Sequence, residues 1–184
     1  MATVSRRYTE LEATGKNITE LLNAGNSSPT IPHKQDVLVT GGGIAGLMYA
    51  IRLKHIRPQT TITVLESAPE PKYKIGESTL SPFARFCESH VLPMAYMLRI
   101  FNLKEGLEFR HLEEPNKHWQ DVGALDYSYQ IERKVSELLL VLKAQRMGIN
   151  VYHGVRVDAS SSILQESANQ ICCRTSQPGI APKR

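Results

Sequence analysis

The stretch Asp36-Val-Leu-Val-Thr40-Gly41-Gly42-Gly43-Ile44-Ala45-Gly46, continued by Leu47–Lys54 and, past Pro58, by Thr61-Ile-Thr-Val-Leu-Glu66, sets the reading of the whole chain. Val37–Val39 form a short apolar run of the kind a buried strand shows. Ile44–Lys54 follows the glycines as a helix, with Pro58 just beyond its end, where a helix stop belongs. Thr61–Glu66 is rich in β-branched residues and reads as a second strand. Strand, helix and strand fill roughly thirty residues, the length a parallel crossover needs. The expected fold class is therefore α/β with a parallel sheet.

Gly41, Gly43 and Gly46 match the spacing G-x-G-x-x-G. The motif alone is common, but here it leaves a strand and opens a helix in a unit of the right length. Gly41 permits the tight turn, Gly43 lets a pyrophosphate approach the backbone, and Gly46 lets the helix pack close to the sheet. Ile44 and Ala45 sit at the helix N-terminus, whose unpaired N–H groups and positive dipole end favour phosphate. Glu66 closes the second strand about twenty residues beyond Gly46, where a carboxylate accepts hydrogen bonds from a ribose diol. Its charge disfavours a 2′-phosphate there. These residues predict a dinucleotide site without separating FAD from NAD.

Outward from this unit, residues 1–34 are polar and end in a cluster of Asn, Gly, Ser and Pro, so they are expected as a flexible leader, with a short helix over Thr9–Leu22 as the lesser reading. A loop is expected over 67–80, and short helices over Pro82–His90 and Pro93–Phe101. Leu125–Ile131 alternates like a half-wet strand. Val135–Met147 carries a helical apolar stripe, and Gly148 stands at its C-cap. Ile149–His153 reads as a strand that continues as a hairpin through Gly154 into Val155–Val157. Ile171-Cys172-Cys173 reads as a further short strand, and residues 175–184 as a disordered tail. The dinucleotide domain is thus placed at 35–174.

Composition narrows the function classes. The chain has 184 residues, 41% hydrophobic and 22% charged, with a formal net charge of +4, which suits a globular protein. The charge is spread without a basic patch, so no nucleic-acid partner is expected. No apolar run is long enough to span a bilayer, and the acidic start argues against a signal or transit peptide. The expectation is a cytoplasmic protein without a membrane partner. Three cysteines, Cys87, Cys172 and Cys173, fit free thiols in a reducing compartment. His111, Glu113, Glu114 and His118 lack a metal-ligand spacing, so no metal is expected and a solvated loop is preferred.

The stretch from Asp36 to about Val157 resembles the N-terminal part of flavin-dependent halogenases of the tryptophan type, within the wider group of FAD-dependent monooxygenases. Three segments carry the likeness: the glycine unit ending in Val64-Leu-Glu-Ser67, the loop Lys74-Ile-Gly-Glu-Ser-Thr-Leu80, and Tyr129–Gly148 with Glu132-Arg133 ahead of a helix. The middle segment is the most specific. The resemblance implies a Rossmann-like domain with FAD as cofactor. It implies that Gly41, Gly43, Ile44, Ala45 and Gly46 hold the pyrophosphate, and that Glu66, followed by Ser67, holds the adenosine ribose. Glu77, Ser78 and Thr79 would approach the flavin side, and Arg133 would be a second positive contact. Glu132 stands where the family often has Asp.

The resemblance further implies oxidation of halide by reduced flavin and oxygen, then delivery of electrophilic halogen to an electron-rich small molecule by a lysine. Lys104 is the best positional match for that lysine. A flavin reductase would supply the reduced cofactor. Trp119 is the only tryptophan, so the family's WxWxIP motif is absent, which leaves halogenation against hydroxylation open. No later Gly-Asp segment follows Val157, and the length suits a partial domain, incomplete at its C-terminus. Two other readings stay open: a dinucleotide-binding remnant without chemistry of its own, and an NAD-dependent oxidoreductase. The latter lacks a Tyr-x-x-x-Lys pair and finds no use for residues 74–79.

Overall fold

The computed structural model describes residues 18–105, 126–165 and 170–176. The glycine unit folds as its sequence predicts, with β1 (Val37–Thr40), α2 (Ile44–Ile56) and β2 (Ile62–Glu66) in succession, preceded by a short helix α1 (Ile18–Ala24). Then come α3 (Ser81–His90), α4 (Met94–Ile100), β3 (Asn102–Lys104), β4 (Ser128–Gln130), α5 (Arg133–Arg146), β5 (Asn150–His153), β6 (Arg156–Gln165) and β7 (Gln170–Ser176).

β1, β2 and β5 form a parallel sheet in that order. Strand alternation divides its side chains between two faces. Ile62, Val64 and Val151 pack against Leu47, Ala50 and Ile51 of α2 and Leu140, Val141 and Ala144 of α5. Leu65 and Tyr152, partners in register, point the other way and pack with Val155 and Ile31. Covering both faces is what a parallel sheet requires, and it explains the near-continuous burial of β2 and β5. A second core of Phe83, Ala84, Cys87, Met97, Phe101, Tyr129, Ile131 and Val135 joins α3 and α4 to β4 and the start of α5.

Four expectations change. From Ile18 onward the segment expected as a flexible leader is docked. Asn23 and Asn26 present side-chain amides to the free edge of β5: Asn26 donates to the Val151 carbonyl at 2.9 Å and accepts from the Val151 N–H at 2.6 Å. Asn23 does the same to His153, at 3.3 and 2.9 Å. Leu22 enters the main core, and the Tyr152 hydroxyl donates to the carbonyls of Ser28 and Thr30. These amides satisfy backbone groups that an edge strand otherwise leaves open.

The expected hairpin from β5 into Val155–Val157 does not form, because β6 pairs antiparallel with β7 instead. Gly154, at φ +73°, turns the chain away, and its N–H goes to the Ala68 carbonyl while that of Val155 goes to the Glu66 carbonyl. β7 also takes in Thr175 and Ser176, the first residues of the expected tail, since both have partners on β6. The strand expected over 125–131 is shorter, at Ser128–Gln130, and β3, not expected as a strand, pairs with it. His111, Glu113, Glu114, His118 and Trp119 lie outside the described residues. No helix among the described residues is long and apolar enough to cross a membrane.

Candidate functional site

The carboxyl ends of β1, β2 and β5 meet at one edge of the sheet, the place where open α/β sheets bind ligands. Gly41 leaves β1 with φ +106°, a conformation that favours glycine. A Cβ at Gly46 would stand 2.0 Å from the Gly41 carbonyl oxygen, so helix and turn meet only because that atom is missing. At Gly43 the situation is opposite: the nearest atom to an added Cβ is Glu137 Oε1 at 3.9 Å. Space therefore exists above Gly43 that the described residues do not fill. α2 starts there with no side-chain cap and no acidic residue in its first turn. Its first intrahelical bond runs from the Leu47 N–H to the Gly43 carbonyl, so the N–H groups of Ile44, Ala45 and Gly46 have no helical partner.

Glu66 is fixed beside this loop. Its Oε2 accepts from the Gly42 N–H at 2.7 Å, and its Oε1 accepts from the Ala68 N–H at 2.8 Å and the Ser67 hydroxyl at 3.3 Å. Burial pushes the carboxyl pKa up, but the Ala68 and Gly42 N–H groups and the Lys74 charge outweigh it, and the group is held below its usual range. Each oxygen keeps lone-pair capacity for a diol. Open space, unpaired N–H groups and an oriented carboxylate together fit the ADP half of a dinucleotide.

The loop 74–79 lies alongside. Lys74 Nζ donates to Glu137 Oε2 at 2.8 Å, Arg133 Nη2 to Glu137 Oε1 at 2.7 Å, and Arg133 Nη1 to the Ile75 carbonyl at 2.9 Å. Glu77 and Thr79 lie along β4 like an added strand. The Ile131 N–H donates to the Glu77 carbonyl, the Thr79 N–H donates to the Tyr129 carbonyl, and Ser78 bridges Gln130. On the same side, Lys104 Nζ donates to the Thr79 carbonyl at 2.8 Å. β3 brings that lysine there by pairing it opposite Ser128.

The residues expected at the site thus fall into two groups. Gly41, Gly43, Ile44, Ala45, Gly46, Glu66 and Ser67 share the sheet edge. Glu77, Ser78, Thr79 and Lys104 share the β4 side, and Arg133 reaches from α5 to the loop between them. Sequence reasoning missed Gly42, whose N–H orients Glu66, and missed Lys74 and Glu137. Only Lys74 had a signal, being the first residue of the loop that carries the family likeness. His153 was also missed. It is 2% exposed at the end of β5, in register with Glu66, and neither ring nitrogen has a hydrogen-bond partner among the described residues. Burial depresses its pKa, against the opposing pull of Glu66, the Ala68 backbone and Glu137.

Known proteins resemble this chain in sequence and in fold. The tryptophan halogenase family model matches residues 36–122. The chain is 43% identical over 168 residues to the flavin-dependent halogenase malA of Malbranchea aurantiaca, covering 86% of this chain and 25% of that protein. It is 28% identical over 134 residues to the flavin-dependent halogenase ptaM of Pestalotiopsis fici, covering 71% and 24%. Among solved structures, the myxobacterial chondrochloren halogenase CndH, an FAD-dependent halogenase, superposes with a TM-score of 0.61 at 22% identity over 77% of this chain and 35% of that one. A triple mutant of the flavin-dependent brominase Bmp2 does so with a TM-score of 0.67 at 18% identity, over 80% and 36%. These structural likenesses speak for the fold. The chain spans about a quarter of the length of the curated relatives it matches.

Proposed function

We propose that this chain is part of a flavin-dependent halogenase, and that residues 36–153 bind FAD by its ADP half and serve halogenation of an electron-rich, aromatic-type small molecule. The observation that carries this is the unfilled space over Gly43 beside an uncapped helix N-terminus, with Glu66 held by the Gly42 N–H at 2.7 Å. In this reading the N–H groups of Gly43, Ile44 and Ala45 receive the pyrophosphate, Glu66 accepts from the ribose hydroxyls, and Ser67 keeps that carboxylate oriented. Glu77, Ser78 and Thr79 face the flavin end. Bound flavin, reduced by a partner reductase, supplies the oxidising chemistry with oxygen.

Lys104 is the residue of this chain proposed to meet the halogen. An amine can hold hypohalous acid by hydrogen bonding or carry the halogen on nitrogen. Among the described residues its partner is a single carbonyl, that of Thr79, and an ammonium has further donors. The lysine and the flavin-side loop are therefore joined in one hydrogen-bonded unit.

The test is a titration of the purified chain with FAD, NAD and NADP, followed by flavin fluorescence and thermal midpoint. At FAD concentrations about 100 times Kd, native-state binding adds about 2.7 kcal/mol of stability, a readable rise in midpoint. NADP is expected to have no effect, because Glu66 repels its 2′-phosphate. With a flavin reductase and chloride or bromide, the Lys104→Met variant is expected to lose product formation far more than FAD affinity. No midpoint change with FAD overturns the cofactor reading. FAD binding without halide-dependent product leaves a dinucleotide-binding chain that does no halogenation by itself.

A further inference from the structure

Glu137 is a buried carboxylate in an unexpected place. It is 2% exposed, on the face of α5 beneath the glycine loop, and its Oε1 is the atom nearest to the space over Gly43. An anion there opposes an incoming pyrophosphate, and burial makes that opposition stronger than it would be in water. What Glu137 contributes instead is geometry. One oxygen holds Lys74 at 2.8 Å and the other holds Arg133 at 2.7 Å, while the second arm of Arg133 holds the Ile75 carbonyl. The loop 74–79 is thereby tied to the helix that underlies the glycine turn. The three side chains together carry a net positive charge. Arg133 Nε is buried with no hydrogen-bond partner among the described residues. Gly76, at φ +107°, is needed for the same closeness, since a Cβ there would meet Arg133 Nη1 at 2.9 Å. The Lys74 charge also helps hold the Glu66 carboxyl below its usual range.

We propose that Glu137 is a positioning residue for pyrophosphate recognition, holding Lys74 and Arg133 as a two-cation clamp beside Gly43. This rests on the dinucleotide reading above and adds Lys74 to the phosphate-facing groups. A purely electrostatic role and a positioning role differ in sign. Glu137→Gln removes a negative charge near the phosphates, so bulk electrostatics would tighten binding. If Glu137 acts by aiming the two cations, the same change weakens it.

The measurement is the Kd of FAD, ADP and adenosine for the wild-type chain, Glu137→Gln and Lys74→Met, with the thermal midpoint of each variant. The expected result is about a tenfold loss for FAD and ADP in both variants, the scale of one charge-assisted hydrogen bond, with adenosine changed by less than about twofold. Should Glu137→Gln fail to fold, Lys74→Met carries the test, because Lys74 lies on a half-exposed loop. Unchanged or tighter ADP binding by a folded Glu137→Gln overturns the inference, as does unchanged ADP binding by Lys74→Met. An equal loss for adenosine and ADP marks a merely structural role and overturns it too. If the wild-type chain binds neither FAD nor ADP, the cofactor reading falls and takes this inference with it. A wild type that binds both isolates the failure to Glu137.

Discussion

Gly43 and Gly46, three residues apart, illustrate two things a missing Cβ can mean. Gly46 lacks one because a neighbour in the protein occupies the place, and Gly43 lacks one although none of the described residues does. Gly46→Ala is therefore expected to cost about 3 kcal/mol of stability, since backbone must move to relieve the contact. Gly43→Ala, at φ −75°, is expected to change stability by no more than about 1 kcal/mol, the scale of an N-cap substitution. Both should lose FAD binding, by tenfold or more. Urea unfolding and FAD titration of the two variants check this, and a Gly43→Ala chain that binds FAD like wild type would remove Gly43 from the cradle. The glycine roles were legible in sequence because spacing and flanking elements specify them. Glu137 was not, since a glutamate in a helix reads as a solvated residue until packing buries it.

At the level of elements, the most informative unit is α1 with the turn that follows it. Asn23 and Asn26 use one amide each to replace the donor and the acceptor of a neighbouring strand along β5. Ser27 extends the contact by donating through N–H and hydroxyl to Asn150 Oδ1. Asn26→Ala would leave the N–H and carbonyl of Val151 without protein partners at that edge. The expected cost is about 1–2 kcal/mol, read as a lower thermal midpoint together with faster amide exchange at Val151. Unchanged exchange there would show that the amide does not hold the edge. In sequence the Asn, Gly and Ser cluster gives the ordinary signal of a turn, which is correct locally. What it does not give is a partner 125 residues away. The same limit applied to β6, whose hairpin partner could not be chosen until β5 was placed in a parallel sheet.

For the molecule as a whole, the carboxyl end of the sheet sets Glu66 in register with His153, and its pH response follows from the surroundings of these two groups. The folded-state pKa of His153 lies below its ordinary 6.5, with burial as the main cause. The unfolded chain then binds the proton more readily, so this contribution is complete above about pH 6.5 and declines as pH falls below it. Glu66, held below 4.5, adds a contribution that is present above that value and is lost as pH falls through its folded pKa. Urea midpoints are therefore expected to fall in two stages on acidification, and His153→Leu should flatten the first while leaving the second. A first stage that persists in His153→Leu would assign it to another group. The strand–glycine–helix–strand unit, the acid closing β2 and the family likeness could all be read from order along the chain, because each depends on neighbours a few residues apart. The docking of α1, the burial of Glu137 and His153, the tie from Lys104 to Thr79 and the pairing of β6 with β7 could not. They arise only where distant segments meet, and their energies come from burial and long-range hydrogen bonds that local residue patterns do not encode.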